Sequence, residues 1–360
     1  MTREQRSRMA KVREQVDEAN NQLLELLNER TKLVEEIRDF KIQQGLSMFD
    51  PLREARQIQG LLLKNRGPMS AHMVETVFQE IFRASLSQME KGSADKLLVK
   101  VRQEKPGGVK VGDVVVGGGN KPVIMAGPCA VEHEDSLEKI AQLLKSVSAP
   151  FIRGGAFKPR TSPYNFQGLG MEGVKMLARV AKRHGIKVVS ELTDPCNLDE
   201  FIQHVDVVQV GARNMFNYDL LKRLGETRCP VLLKRSFAAT VDEFFLAAEY
   251  LLAGGNNNVI LCERGIRTFE TATRNTLDIS AVCLIKELTD LPVVVDISHA
   301  AGRRDLLTPL AKAALAAGAD GIMVEVHPHP ESALSDGSQQ MTMDEFKQFV
   351  DSVACFLEKI

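Results

Sequence analysis

Two hydrophobic rhythms divide the chain. Up to about residue 91, apolar side chains recur at Val12, Val16, Ala19, Leu23, Leu26, Leu33, Ile37 and Phe40. That alternation of fours and threes predicts one long amphipathic helix with a coiled-coil-like seam. Gly45 is expected to end it. Asp50 and Pro51 then open a second helix as N-cap and first helical residue. Gly67-Pro68 breaks that helix, and Ser70 can cap a third whose stripe is Val74, Val77, Phe78, Ile81 and Leu86. Three helices with one very long member cannot easily bury the seam alone, so dimerisation through it is expected. Residues 92–108 are polar and end in Pro106-Gly107-Gly108, which reads as a linker. Val109 to Val116 suggests a short hairpin.

From Pro122 the rhythm changes. Eight short, continuous apolar runs appear: Val123–Ala126, Phe151–Ile152, Lys187–Ser190, Val207–Val210, Val231–Leu233, Val259–Leu261, Val293–Val295 and Ile322–Val324. Helical stretches such as Ser136–Ser148, Gly173–His184, Val241–Leu252, Asn275–Leu288 and Leu306–Ala317 separate them. Continuous apolar strands indicate a buried parallel sheet. Eight strand–helix repeats in about 250 residues match a (β/α)8 TIM barrel. A doubly wound sheet would want a Gly-rich dinucleotide turn after its first strand, and Gly127-Pro128-Cys129 is not one. The expected fold is therefore α/β: an all-helical domain at 1–91, a linker at 92–108 and a barrel at 109–360.

Composition narrows the setting. A net charge of −1 gives no global attraction to nucleic acid or an acidic membrane. No run approaches the roughly 18 apolar residues of a membrane span. The first residues are charged and unlike a signal peptide. Cys129, Cys196, Cys229, Cys262, Cys283 and Cys355 are scattered, without a CxxC, and read as reduced thiols. A cytoplasmic protein is expected.

Polar groups cluster just after the apolar runs, which in a barrel places them on the C-terminal face where active sites lie. Any one of them alone reads as a solvated loop charge; eight at one topological position do not. Arg153, Lys158, Arg160, Arg213, Lys234 and Arg264 would crowd one mouth. Such density repels itself unless anions occupy it. Arg forks suit phosphate and carboxylate, and Lys serves as a point charge. Cys129, His299, Glu325 and Asp336 follow the first, seventh and eighth runs, neighbours in a closed barrel. One thiolate, one imidazole and two carboxylates suit a divalent transition metal such as Mn, Fe, Co or Zn better than Mg or Ca. Singly, each has an ordinary reading: a core cysteine, a solvated acid. His327 shares a strand face with Glu325 and reads as a nearby polar group rather than a ligand.

Several motifs are specific enough to name. Gly127-Pro-Cys-Ala130, Arg153-Gly-Gly-Ala-Phe-Lys-Pro-Arg-Thr-Ser-Pro163, Gly211-Ala-Arg-Asn214, Leu233-Lys-Arg235, Cys262-Glu-Arg-Gly-Ile-Arg267, Glu325-Val-His-Pro328 and Ser335-Asp336 closely resemble 3-deoxy-D-arabino-heptulosonate 7-phosphate (DAHP) synthases. The likeness is to the short microbial type with an N-terminal chorismate mutase domain, and it covers nearly the whole chain. The sister family of 3-deoxy-manno-octulosonate 8-phosphate synthases carries Lys-Ala-Asn-Arg-Ser in place of the run from Lys158 to Ser162. The resemblance implies condensation of phosphoenolpyruvate with erythrose 4-phosphate and water to DAHP and phosphate. It implies that Arg213, Lys234 and Arg264, beside Ala212, hold the phosphoenolpyruvate phosphate. Arg153 and Lys158 would face its carboxylate and reacting centre, Arg160 and Thr161 would meet erythrose 4-phosphate, and Pro159 and Ser162 would count among the substrate-binding residues. The metal, Mn in first place, would polarise the aldehyde oxygen, and Lys158 would donate a proton to the new alkoxide.

The helical segment has its own anomaly. Continuing the seam from Leu26 to Leu33 calls for an apolar residue at position 30, and Arg30 is there. Lys41, eleven residues on, lies roughly 20° off the same helix face. Arg13 lies about 100° around the helix, so a second copy would have to bring it to the same small ligand. The plain alternative is a pair of snorkelling cations on a dimer seam. The segment also resembles an all-helical chorismate mutase, with Arg13, Arg30, Lys41, Asp50, Arg53, Glu54 and Ser85 at matching positions. In that likeness the cations grip the carboxylates of chorismate and Glu54 binds its hydroxyl. One departure stands out: the family's Gln near the end of the third helix aligns with Met89, and Gln88 is one residue early. Either the helix end adjusts, or the domain serves mainly as a sensor for chorismate or prephenate. A homodimer or homotetramer is expected.

Overall fold

The computed structural model describes residues 2–44, 50–94, 97–101, 107–159 and 162–358. The chain divides into two compact units, Met1–Lys96 and Leu97–Ile360.

In the first unit, α1 spans Arg3–Gln43, opened by a capping box between Thr2 and Gln5. Its 41 residues correspond to about 62 Å of helix. Helix α2 spans Pro51–Lys64, and the Asp50 carboxylate accepts from the Arg53 N–H at 3.0 Å, as its sequence predicts. Helix α3 spans Ala71–Ala94, with Ser70 Oγ accepting from Met73 N–H at 3.2 Å. Gly45, expected to end the first helix, lies outside the described residues. The α3 stripe differs from expectation at three positions: Val77 is exposed, whereas Phe82 and Met89 turn inward. Phe82 and Met89 continue the helical spacing from Phe78 and Ser85, which the apolar count alone obscured. No α1 side chain is buried, and Leu26 remains 62% exposed. Among the described residues, Val12, Val16, Leu23 and Leu26 of the seam stay exposed, while Leu33 and Ile37 reach the wall of a cavity shared with α2 and α3.

The second unit begins with Leu98–Lys100, a 3-10 turn inside the segment read as a linker. The Leu98 and Val99 N–H groups donate to Glu249, and Val99 is buried. Strands β1 (Val109–Val111) and β2 (Val114–Val116) form the expected antiparallel hairpin. The chain then runs β3 (Val123–Gly127), α4 (Glu134–Ser146), β4 (Phe151–Arg153), α5 (Gly170–His184), β5 (Lys187–Glu191), α6 (Leu198–Phe201), β6 (Val207–Val210) and α7 (Tyr218–Gly225). It continues β7 (Val231–Lys234), α8 (Val241–Ala253), β8 (Val259–Glu263), α9 (Ile279–Leu288), β9 (Val293–Asp296), α10 (Ile297–Ala301), α11 (Leu307–Ala316), β10 (Gly321–Glu325) and α12 (Met343–Leu357). All eight strands from β3 to β10 are parallel and close into one barrel.

Two cores follow from the alternation of strand side chains. Val123, Met125, Phe151, Leu232, Ile260 and Met323 pack inside the barrel with Val109, Val111 and Val116 of the hairpin, which therefore plugs the N-terminal end. The complementary set, including Ile124, Ile152, Val208 and Leu233, faces the surrounding helices. Seven of the eight strands run further than their apolar runs, and in six the last residue is Arg153, Glu191, Lys234, Glu263, Asp296 or Glu325. These residues are paired in the sheet; five of them share the inward phase of the barrel core, whereas Glu263 faces the helix layer and pairs with Arg235. One helix is shorter than expected. Asn275–Asp278 forms a return segment bridged to Ile266 through Thr276, and the Asp278 carboxylate caps α9. No helix among the described residues is long and apolar enough to cross a membrane.

Candidate active site

The metal-capable set assembles at the C-terminal mouth. One donor atom each from Cys129, His299, Glu325 and Asp336 lies within 4.8 Å of all the others. Cys129 follows β3 through Gly127, where a Cβ would sit 2.0 Å from the Arg153 carbonyl oxygen, so only glycine permits that turn. His299 sits on α10, where the Asp296 carboxylate caps its N–H and takes its Nδ1 at 2.9 Å. That leaves Nε2 facing Glu325 at 3.5 Å. Asp336 adopts the left-handed conformation (φ 50°, ψ 36°), which short acidic residues tolerate. Its carboxylate approaches Cys129 Sγ at 3.5 Å.

The surrounding groups orient these four. Gln339 donates to Glu325 Oε2 at 2.6 Å and accepts from Arg274 at 2.8 Å, and Arg274 also pairs with Asp336 at 3.0 Å. Arg153, buried, donates to Glu325 Oε1 at 2.9 Å, while its Nε meets no partner. Lys158 Nζ stands 3.1 Å from both Cys129 Sγ and the Cys129 carbonyl. Burial pushes the Cys129 thiol up to about 11, with Glu325 adding to it and Lys158 opposing. A bound cation would have to displace that proton. Burial would also raise the two carboxyls, but His299 and Arg153 hold Glu325 down, and Arg274 brings Asp336 to about 2. Two ionised carboxylates beside a soft donor and an imidazole fit a divalent transition ion.

Next to this set is a polar cavity of about 160 Å³, lined in part by Lys158, Pro159, Arg213, Lys234, Arg264 and Arg274. Ala212, His299 and Asp336 also reach its wall. Lys234 is neutralised by Asp296 in a buried pair. Arg264 is not neutralised in this way: it is only 3% exposed, and among the described residues no carboxylate pairs with it. Burial brings its guanidinium down to about 10. A buried cation without a counter-charge marks an anion site. Arg264, Arg213 and Arg267 all stand over the ring of Phe237, at 4.7, 5.5 and 5.2 Å from its centroid. The ring face attracts the three cations that would otherwise only repel one another.

Sequence reasoning missed Arg274, Gln339 and Phe237. Arg274 and Gln339 sit in long loops, where no periodicity could signal them. Phe237 lies three residues after Lys234 and reads as an ordinary apolar residue. Arg160 and Thr161 lie outside the described residues. Ser162 is described but does not line the cavity; its hydroxyl accepts from Tyr164 N–H at 3.4 Å. His327 stays outside the donor set and faces Glu132 at 3.7 Å.

The helical unit holds a second cavity, of about 310 Å³. Arg30, Lys41, Asp50, Arg53, Glu54 and Ser85 all line it. Arg30 donates to Ser85 Oγ and stands 5.3 Å over the Phe82 ring, and burial lowers its guanidinium. Arg13 is exposed and does not reach this cavity. Met89 lines it, whereas Gln88 is exposed and its amide approaches Glu35 at 3.5 Å. The end of α3 has not adjusted to bring Gln88 inside.

Comparison with known proteins decides the family. Residues 94–358 match the model of the DAHP synthetase I family. The chain belongs to that family. Residues 12–90 match the chorismate mutase type II model, so this DAHP synthetase I chain carries a chorismate mutase domain ahead of the barrel. A phospho-2-dehydro-3-deoxyheptonate aldolase of Thermotoga maritima is 51% identical over 68% of this chain and 72% of its own length. A 2-dehydro-3-deoxyphosphooctonate aldolase of Syntrophotalea carbinolica is 30% identical over 68% of this chain and 93% of its own. The crystal structure of the DAHP synthase of Thermotoga maritima matches with a TM-score of 0.67 at 49% identity, covering 69% of this chain and 72% of that one. Identity therefore separates the two aldolase types in favour of the heptonate.

Proposed function

We propose that the barrel condenses phosphoenolpyruvate with erythrose 4-phosphate and water to DAHP and phosphate, and that the helical domain rearranges chorismate to prephenate. The observation that carries the first part is the juxtaposition at one mouth of four metal donors within 4.8 Å and an unneutralised buried Arg264. Cys129, His299, Glu325 and Asp336 would hold a divalent ion, Mn foremost, which when bound supplies Lewis acidity at the aldehyde oxygen. Arg213, Lys234 and Arg264 bind the phosphoenolpyruvate phosphate, their guanidiniums set by Phe237. The free Nε of Arg153 is available to the substrate carboxylate. Lys158 gives a proton to the alkoxide that forms as the enol carbon attacks the aldehyde, a role supported by its Nζ lying 3.1 Å from Cys129 Sγ. Arg160 and Thr161 remain assigned to erythrose 4-phosphate by motif alone. Phosphate release from the two substrates, absent when either is omitted, tests this reading.

Gln339 ties Glu325 to Arg274 and thereby to Asp336. Gln339→Leu is expected to weaken divalent-metal binding by about 10–100-fold, the usual cost of losing such a partner. Calorimetric titration of the metal-stripped protein measures this; wild-type affinity would mean that Glu325 keeps its orientation unaided.

The exposed N-terminal part of the α1 seam supports a dimer in which a second copy brings Arg13 to the helical cavity. Leu23→Asp combined with Leu26→Asp is expected to halve the mass of the assembly in light scattering if α1 is its sole interface, and to remove ligand binding at that cavity. An unchanged assembly would place the interface elsewhere. Met89, a thioether in the wall, favours a second role as sensor. Feedback by prephenate or chorismate on the barrel then follows, and fails if neither slows DAHP formation in the intact protein.

A further inference from the structure

The helical cavity is lined at strict helical spacing. Asp50, Arg53, Glu54 and Gln57 form the α2 stripe, and Phe82, Ser85 and Met89 part of the α3 stripe. Gln57 is the residue that neither periodicity nor family likeness singles out. It is three residues from Glu54 and four from Arg53, so it shares their face.

Part of the hydrogen-bonding capacity of this wall is committed, and Arg53 and Glu54 are the charged groups beside the part that is not. Ser85 Oγ accepts from Arg30 and donates to the Ile81 carbonyl at 2.7 Å. The Asp50 carboxylate caps α2. Gln88 is turned towards Glu35, outside the cavity. Met89 is 7% exposed and has no N–H or O–H to offer. The Gln57 carboxamide lines the cavity and makes no hydrogen bond to another side chain or to the backbone among the described residues. It is a neutral double donor facing a space bordered by three cations.

Chorismate needs such a group. In its rearrangement the ether carbon–oxygen bond breaks while a bond forms between the enolpyruvyl methylene carbon and the ring. Six electrons redistribute, the ether oxygen becomes the ketone oxygen of the pyruvyl group, and no proton or leaving group is exchanged. Negative charge gathers on that oxygen on the way, and a fixed donor aimed at it lowers the barrier. We infer that Gln57 supplies this donor from the second helix in place of the one that Met89 cannot supply from the third. The inference rests on the chorismate reading above, and it makes the domain a catalyst despite Met89.

The test uses the full-length protein with chorismate as substrate and prephenate as ligand. Gln57→Met is expected to lower kcat by about 10²–10³-fold, the usual loss for one such donor, with a smaller change in KM. Adding Met89→Gln to Gln57→Met, which returns an amide to the third helix, is expected to recover most of the rate. Thermal unfolding of both variants, followed by helical circular dichroism, reports whether the domain still folds. A wild-type rate in Gln57→Met overturns the inference, and so does a folded double variant as impaired as the single one. Wild type that binds prephenate without consuming chorismate also overturns it and leaves a sensor. Wild type that does neither removes the chorismate reading itself.

Discussion

Replacing Cys129 by serine is expected to reduce DAHP formation by about 10³-fold, because a Lewis acid at the carbonyl oxygen is worth several kcal/mol and each 1.36 kcal/mol is tenfold. The thiol is fully buried and ringed by Lys158, Ser335 and Asp336 at 3.1, 3.1 and 3.5 Å. Oxygen is a smaller and harder donor than sulfur, so the transition-metal preference of the set falls with it. Two readouts separate loss of metal from loss of fold. Wild type loaded with Co or Cu should show a thiolate charge-transfer absorption band that the variant lacks, and circular dichroism should coincide for the two. A variant that keeps both the band and the rate would remove Cys129 from the metal set.

Lys158→Ala carries the second-largest expected effect. Positioned proton transfer contributes about 10²–10⁴-fold, and kcat should fall by that order if Lys158 protonates the alkoxide. Its Nζ stands 3.1 Å from the Cys129 sulfur, beside the donor atoms and on the wall of the anion cavity. The loss should appear in kcat with phosphoenolpyruvate affinity less affected, since Arg213, Lys234 and Arg264 are left in place. Turnover at the wild-type rate would exclude proton donation by this residue. Loss of affinity alone would reduce Lys158 to a phosphate or carboxylate contact.

The architecture was largely legible because a parallel barrel writes each strand as an apolar run. Val207–Val210 appears in the structure with the bounds its run predicts. The other runs stopped short, five of them directly before a polar residue that faces the barrel interior, since periodicity measures burial in apolar surroundings and not pairing in the sheet. Strand order brings Cys129, His299 and Glu325 together, because barrel closure makes β3 the neighbour of β10, and β10 the neighbour of β9; Asp336, in the loop after β10, joined the set with the family likeness. Arg274 and Gln339 could not be read that way. The backbone hydrogen bonds of Arg274 and Asn275 to Ala301 and Ala300 bring one loop over the mouth, and the Gly337–Gln339 turn brings the other. Such convergence leaves no trace in local spacing. Phe237 was hidden differently, because an aromatic among cations resembles a core residue until its neighbours are known. In the helical domain, the geometry that set Gln88 about 100° from Met89 held in the structure. It gave no hint that the amide facing the cavity would be Gln57.

Phosphate release is the most direct test of the barrel chemistry. The metal-stripped full-length protein, given phosphoenolpyruvate and erythrose 4-phosphate, should release almost no phosphate. Adding Mn should restore release, with DAHP formed in equal amount and excess chelator abolishing both. Release that persists undiminished in chelator, or that needs no erythrose 4-phosphate, would contradict a metal-assisted condensation at this mouth.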